Sequence, residues 1–285
     1  MRVAAGICLL VGGALLGQPV SPKAAPEPPR FRWQVGQTLR YQVSQQTTVQ
    51  ETYRDQQQQL QTQQISNDLR LTRQWTVQAV SDEIATVEMR ILAMRMELRR
   101  AKEEPIIRDS AQPEHARELT DYLDKAILTA RIDGLGRLLS VKATSSWPTQ
   151  RLEAEPPFRL VLPEQKRAPG ESWARTTAVR VDPPLGVGDS YQLEQKYTLL
   201  RQEGSRWTVG LTTRWRGDPP STEQLALLTY LWQGELYFDI QAGRYLGARL
   251  QIKQQIRDHA GPGSCYLYQS QCEETLQSEP PLPSP

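Results

Sequence analysis

The chain has 285 residues, 38% hydrophobic and 23% charged, with 34 basic against 32 acidic side chains. That length supports one large or two smaller domains with a real core. A mean hydropathy of −0.57 and the lack of an apolar run of about 18 residues exclude a polytopic membrane protein. The near-balanced charge argues against a nucleic-acid partner, and two histidines and three cysteines leave little material for a metal centre.

In chain order, Met1-Arg2 precedes the apolar stretch Val3 to Gly17. One early cation followed by about 15 small and apolar residues has the form of an export signal, so residues 1–25 are read as a signal peptide. The cleavage point stays open, and an uncleaved N-terminal anchor is the alternative. A cut after Ala25 would remove Arg2, Lys23 and Cys8, leaving a charge-balanced body with one pair of cysteines. Residues 26–30 form a Pro-rich linker.

Residues 31–147 read as a first β-rich repeat. Leu39, Tyr41 and Val43 alternate with polar neighbours, as do Leu69, Leu71, Trp75 and Val77, interrupted by Arg73. Val87, Met89 and Ile91 then give way to Leu92, Met94, Met96 and Leu98. That parity change predicts a bulge near Ile91-Leu92. The Gln-rich stretch Asp55 to Gln64 predicts a solvated hairpin tip, and Arg99 to Asp109 a charged irregular connection. From Pro113, Leu119, Tyr122, Leu123 and Ile127 fall at helical spacing.

Residues 148–168 are a Pro-rich connection, in which Phe158, Leu160 and Leu162 alternate as an edge strand would. A second β-rich repeat spans 169–258. Its strands carry Tyr191, Leu193, Tyr197 and Leu199, then Trp207, Val209, Leu211 and Trp215, and finally Leu246 to Ile256. A helix is predicted from Ser221 to Gly234, and Gly186-Val187-Gly188 reads as a turn. The halves share an order of motifs: Gly36–Leu39 corresponds to Gly170–Trp173, Trp75–Val77 to Tyr197–Leu199, Thr86-Val87 to Thr208-Val209, and Ile132–Leu138 to Ile240–Leu246. Residues 259–285 read as a disulfide-pinned hairpin and a disordered Pro-rich tail. In an oxidising compartment Cys265 and Cys272 are expected to pair across a turn at Tyr268-Gln269.

Catalytic signatures are sparse. His115 and His259 read as surface histidines rather than ligands, and no nucleophile elbow exists. Glu273-Glu274 should point to opposite faces of a strand. Asp133 and Asp239 occupy equivalent places in the repeats and read as turn residues. The seven tryptophans are the distinctive resource. Trp215 and Trp232, with Met94 and Met96, are the candidate ligand or interaction surface, and Met89 is a further lining candidate.

The opening Gly36-x-x-x-x-Tyr41, the strand Trp75-x-Val77 and the segment Pro169-Gly170-x-x-Trp173 resemble those of a family of secreted bacterial β-rich proteins, a domain of unknown function. The resemblance covers about residues 31 to 256 and implies structural motifs without an assigned activity. The expected fold is mainly β with minor α. Two antiparallel β-meanders, each with a helix, form a strongly curved sheet or split barrel. By fold analogy it looks similar to lipoprotein-carrier and lipid-binding folds of bacterial envelopes. The expected function is an exported (periplasmic or secreted), non-enzymatic binding module for a lipid or other apolar or amphiphilic ligand. It needs no cofactor and, once mature, has no transmembrane span. The alternative is a structural or protein-interaction component of the envelope with a dry core; a hydrolase is third.

Overall fold

The computed structural model describes residues 28–277 apart from 102, 145–149, 184–185, 218 and 220. The expected export signal, Trp147 and the proline tail therefore lie outside the described residues. In the first copy the strands are β1 (Thr38–Arg54), β2 (Leu60–Ser81), β3 (Ile84–Arg100), β4 (Ile106–Asp109), β5 (Leu128–Ile132) and β6 (Leu138–Ala143). In the second they are β7 (Ser172–Val181), β8 (Asp189–Glu203), β9 (Arg206–Trp215), β10 (Gln233–Asp239) and β11 (Arg244–Arg257), followed by β12 (Cys265–Leu276). Three short helices complete the fold: α1 (Pro113–Glu118), α2 (Gln150–Ala154) and α3 (Ser221–Leu228).

All twelve strands belong to one antiparallel sheet, ordered β6-β5-β3-β2-β1-β12-β11-β10-β9-β8-β7, with β4 paired to the far half of β3. The order exposes the duplication. β6-β5-β3-β2-β1 repeats as β11-β10-β9-β8-β7, and α1 and α3 occupy the same position in each copy. The correspondence extends to single hydrogen bonds. Gly36 N donates to Val77 O and Gly170 N to the equivalent Leu199 O, at 2.8 and 2.7 Å. Val77 N returns to Gln37 O and Leu199 N to Glu171 O. Both glycines have positive φ, 81° and 91°, a conformation that side chains resist. Asp133 Oδ1 accepts from the backbone N–H of Leu135 and Arg137, and Asp239 Oδ1 from Gln241 and Ala242. The two aspartates are turn formers, as their positions imply.

The sheet is open but strongly curved. Phe31 N donates to Gly134 O in the β5–β6 hairpin, and Arg32 N to Gly243 O in the β10–β11 hairpin, at 2.8 and 2.9 Å. Along the sheet β5 and β10 are six strands' spacings apart, about 29 Å at about 4.8 Å per step. Adjacent residues reach both hairpins only because the sheet rolls up. Helix α2 lies against both β6 and β7, the two edges of the sheet, so the connection between the copies covers the slot of a split barrel.

That connection overturns one expectation. Residues 155–163 form no edge strand; they fill the barrel. Phe158, 1% exposed, has ring centroids of Phe31, Trp33, Tyr41, Trp75 and Tyr245 between 5.4 and 6.1 Å away. Leu162 N donates to Leu135 O, and Trp173 Nε1 to Val161 O. The prolines keep the segment out of a ladder, while its apolar side chains meet the aromatic inner face.

The C-terminal segment is the second correction. Cys265 and Cys272 do not flank a turn. They lie on β12, which runs straight between β1 and β11, with both thiols free. Seven residues of strand at about 3.3 Å each separate them by about 23 Å, whereas a disulfide needs Cα atoms within about 7 Å. The predicted helix from Pro113 is also cut to six residues, because Leu123 is drawn into a bridge with Ile91 and β5 begins at Leu128. The charged stretch after Arg99 contains a short strand, β4. The bulge is where the parity change put it: Thr72 pairs with Ala93 but Arg73 with Ile91, leaving Leu92 extra.

Candidate functional site

The copies differ in length. β1, β2 and β3 have 17, 22 and 17 residues against 10, 15 and 10 in β7, β8 and β9. The additional residues, with the far halves of β11 and β12, form an arm projecting beyond the filled barrel. Its tip is the Gln-rich turn, where Asp55 Oδ1 accepts from Gln57 N and Gln59 N, both at 2.9 Å. Leu60 to Gln64 lie on β2 and are exposed.

Strand parity sets the two faces of the arm. The registers carry Val43, Gln45, Thr47 and Val49 of β1 on the inner face, opposite Leu71, Leu69, Asn67 and Ile65 of β2. Across β2 these meet Met94, Met96, Leu98 and Arg100 of β3. Ile252 and Ile256 of β11 lie opposite Ser270 and Tyr266 of β12. Leu71 and Met94 pack against the edge of the core, but Leu69, Met96 and Leu98 beyond them are half-buried. Beside this apolar stripe runs a polar one. Thr47 Oγ1 and Ser270 Oγ are 2.8 Å apart, with Gln45 Nε2 3.3 Å from each. The inner face of the arm is an amphiphilic trough.

Where the trough meets the barrel, five charges alternate across the core. Arg73 pairs with Glu274; Glu274 faces Arg159 at 3.9 Å; Arg159 pairs with Glu155 at 3.0 Å; and Glu155 with Arg151 at 2.6 Å. Glu274 and Glu155 are 2% and 9% exposed. Such burial is costly unless every lone pair is satisfied, and here the groups are: Trp232 Nε1 donates to Glu155 at 2.9 Å, and Tyr245 lies 3.4 Å from Glu274. Burial raises the Glu155 carboxyl, but Arg159 and then Arg151 outweigh it and hold the group below the usual range. Burial, followed by the charge of Glu274, pushes the Tyr41 and Tyr245 phenols well above theirs. The network holds the connection onto the sheet; both its carboxylates are engaged by guanidinium groups.

The structure divides the sequence candidates. Met94 and Met96 are both on the trough. Trp215, the last residue of β9, is half-buried and packs against the core. Trp232 is not a surface residue: it is 2% exposed, with Arg159 stacked over its ring at 5.4 Å. Glu155 captured its indole N–H, a partner 77 residues away that no local pattern reveals. Cys272 is buried among these charges and Cys265 faces outward. His259 is likewise no simple surface histidine, its side chain being 5% exposed and 3.0 Å from Glu51. Sequence reasoning missed Glu274, Arg159, Glu155 and the trough residue Leu69. The signal available was one anomaly, a charge at the inward parity of β2 (Arg73); the inward place of Glu274 follows only from the pairing of β12.

Among the described residues no three His, Cys, Asp or Glu side chains gather as metal ligands, and no helix is long and apolar enough to cross a membrane. No protein-family model and no curated protein matches the chain. Solved structures align only distantly. Lipovitellin, described for its lipid–protein interactions, is 11% identical with a TM-score of 0.46, covering 89% of this chain and 26% of that one. An outer membrane channel from Pseudomonas putida F1 gives 7% and 0.25, with 86% and 97% covered. DynF from the dynemicin pathway of Micromonospora chersina gives 13% and 0.17, with 93% and 95% covered. The chain thus spans about a quarter of the lipovitellin chain, and at these scores none of the three carries a functional argument.

Proposed function

We propose that this protein is an exported, non-enzymatic binding module that holds an apolar or amphiphilic ligand, such as an acyl chain with a polar head, on the inner face of the arm. The observation that carries the reading is the half-buried row Leu69, Met96 and Leu98, set beside Gln45, Thr47 and Ser270 where the side-chain filling of the barrel ends. Half-buried apolar surface beside groups able to hydrogen-bond is the composition of a ligand site. Catalysis is not part of the proposal, since the buried carboxylates are held in ion pairs.

The test is binding of the fluorescent fatty acid cis-parinaric acid, with mass spectrometry of organic extracts from protein purified from its native envelope. The expected result is saturable binding, weakened at least tenfold in the double variant Leu69→Asn/Met96→Gln with an unchanged melting temperature, and lipid in the extracts. Clean extracts with no saturable binding would sink it. They would favour an interaction component of the envelope, a reading supported by the packing of residues 155–163 into the barrel.

A further inference from the structure

The end of the barrel away from the arm holds a cavity. β2 runs from the tip at Leu60 to Ser81. Val80 therefore lies about 36 Å along the strand beyond the trough residue Leu69, at about 3.3 Å per residue. Val80 and Glu83 beside the β2–β3 turn, Gln202 and Trp207 beside the β8–β9 turn, and the N-terminal segment 28–33 line a cavity of about 540 Å³. The two turns are equivalent in the repeat, since Val80 and Gln202 each come three residues after the matched Val77 and Leu199. The cavity exists only where the two copies meet, at the segment whose Phe31 and Arg32 tie their hairpins together. Its volume falls in the range of small-molecule sites, about 300–1,000 Å³.

The lining selects a charge. Three cations face one carboxylate: Arg30, Arg32 and Lys166 against Glu83. None of the three makes an ion pair among the described residues. Two are fixed by backbone carbonyls through a single nitrogen. Arg30 Nη1 donates to Pro29 O at 2.9 Å and Pro163 O at 3.4 Å, and Arg32 Nη1 to Gln241 O at 3.0 Å. Nε and Nη2 of both have no protein partner among the described residues. Those adjacent N–H groups are an edge by which a guanidinium takes an oxyanion with two parallel bonds. Holding Nη1 beforehand lowers the ordering cost of doing so. The rest of the lining is largely apolar, and Trp33, Val80 and Ile240 in it retain exposed surface.

We propose that this cavity binds a small organic anion. Arg30, Arg32 and Lys166 hold its carboxylate or phosphate group, and Trp33, Val80 and Ile240 cover a compact apolar body. A few polar groups fixing the orientation of an apolar ligand is the usual division of labour in such sites. The proposal is independent of the ligand reading, because it uses the opposite end of the barrel from the trough.

The test is calorimetric titration of the full chain with 2-naphthoate, 2-naphthyl phosphate and the neutral 2-naphthylmethanol. At least one anion is expected to bind one to one, at least tenfold more tightly than the alcohol, and more weakly as salt is raised. Which anion binds better tells a carboxylate ligand from a phosphate ester. Lys166→Glu and Arg32→Gln should each weaken the anion at least fivefold, while the trough variant Leu69→Asn/Met96→Gln binds it as the wild type does. No saturable binding of either anion, equal binding of the alcohol, or an affinity unchanged in Lys166→Glu would overturn the proposal. So would loss of binding in the trough variant, since the anion would then sit on the arm. If Arg32→Gln melts early, Lys166→Glu decides alone.

Discussion

Glu274 lies on the inner face of β12, where an apolar side chain would be expected, and its charge is tolerated because two guanidinium groups and a phenol converge on it. The same logic governs Glu155, and it gives the protein an acid sensitivity of definite sign. The Glu155 carboxyl is depressed in the folded state. Its contribution to stability is therefore complete above the ordinary carboxylate value, about 4.3, and is lost as pH falls through the lower folded value. Urea melts between pH 7 and pH 3 should show stability falling below about pH 4. Glu155→Gln should flatten that slope and cost about 3 kcal/mol at pH 7, because it leaves Arg151 without its carboxylate and Arg159 with only Glu274, 3.9 Å away. A slope identical in the variant would contradict this assignment. The thiols give a second expectation at this scale. In denatured, unreduced protein both Cys265 and Cys272 should be alkylated by iodoacetamide, as intact-mass measurement reports directly.

At the scale of elements, two glycines of like backbone conformation separate two physical effects. Gly136 and Gly170 have similar φ, 83° and 91°. A Cβ on Gly170 meets nothing within 4 Å, whereas one on Gly136 would lie 2.5 Å from the Phe31 ring and 2.6 Å from Leu160 O. Gly170→Ala should therefore cost only the backbone strain, about 1–2 kcal/mol. Gly136→Ala should cost distinctly more and loosen the N-terminal segment; equal costs in chemical denaturation would show that the packing there is soft. Most of these elements were legible in the amino-acid pattern. Period-two alternation marked the strands, the parity change at Ile91-Leu92 marked the bulge, and the shared motif order marked the repeat. β12 was not legible, because its inward positions include Ser270, Cys272 and Glu274, which carry little apolar signal. The path of residues 155–163 was hidden too: an alternating apolar segment with prolines looks the same whether it borders a sheet or fills one.

For the whole molecule, closure depends on segments outside the repeats. Phe31 and Arg32 tie equivalent hairpins of the two copies together, and β12 joins β1 to β11, so neither copy completes the fold alone. Deleting residues through Trp33 should lower the melting temperature and speed amide exchange in the hairpins at 133–138 and 239–244. The distant tip at 55–59 should exchange as before. Unchanged exchange in both hairpins would mean that the curvature is held by the sheet itself. The site followed the same division. Met94 and Met96 could be named in advance because they alternate in a strand, but Trp232 could not be removed from the candidates until Glu155 was seen beside it.

Local chemistry was enough to specify a nearly charge-balanced, duplicated β-rich chain with its turns at Asp133 and Asp239, since alternation, glycine and aspartate act on near neighbours. The tertiary structure alone decided that the C-terminal strand joins the copies, that the two cysteines stay apart, and that the connection fills the barrel while the longer copy projects an amphiphilic arm. Those outcomes depend on which distant surfaces meet. Arg73 finds Glu274 across 201 residues, and no window of sequence contains both.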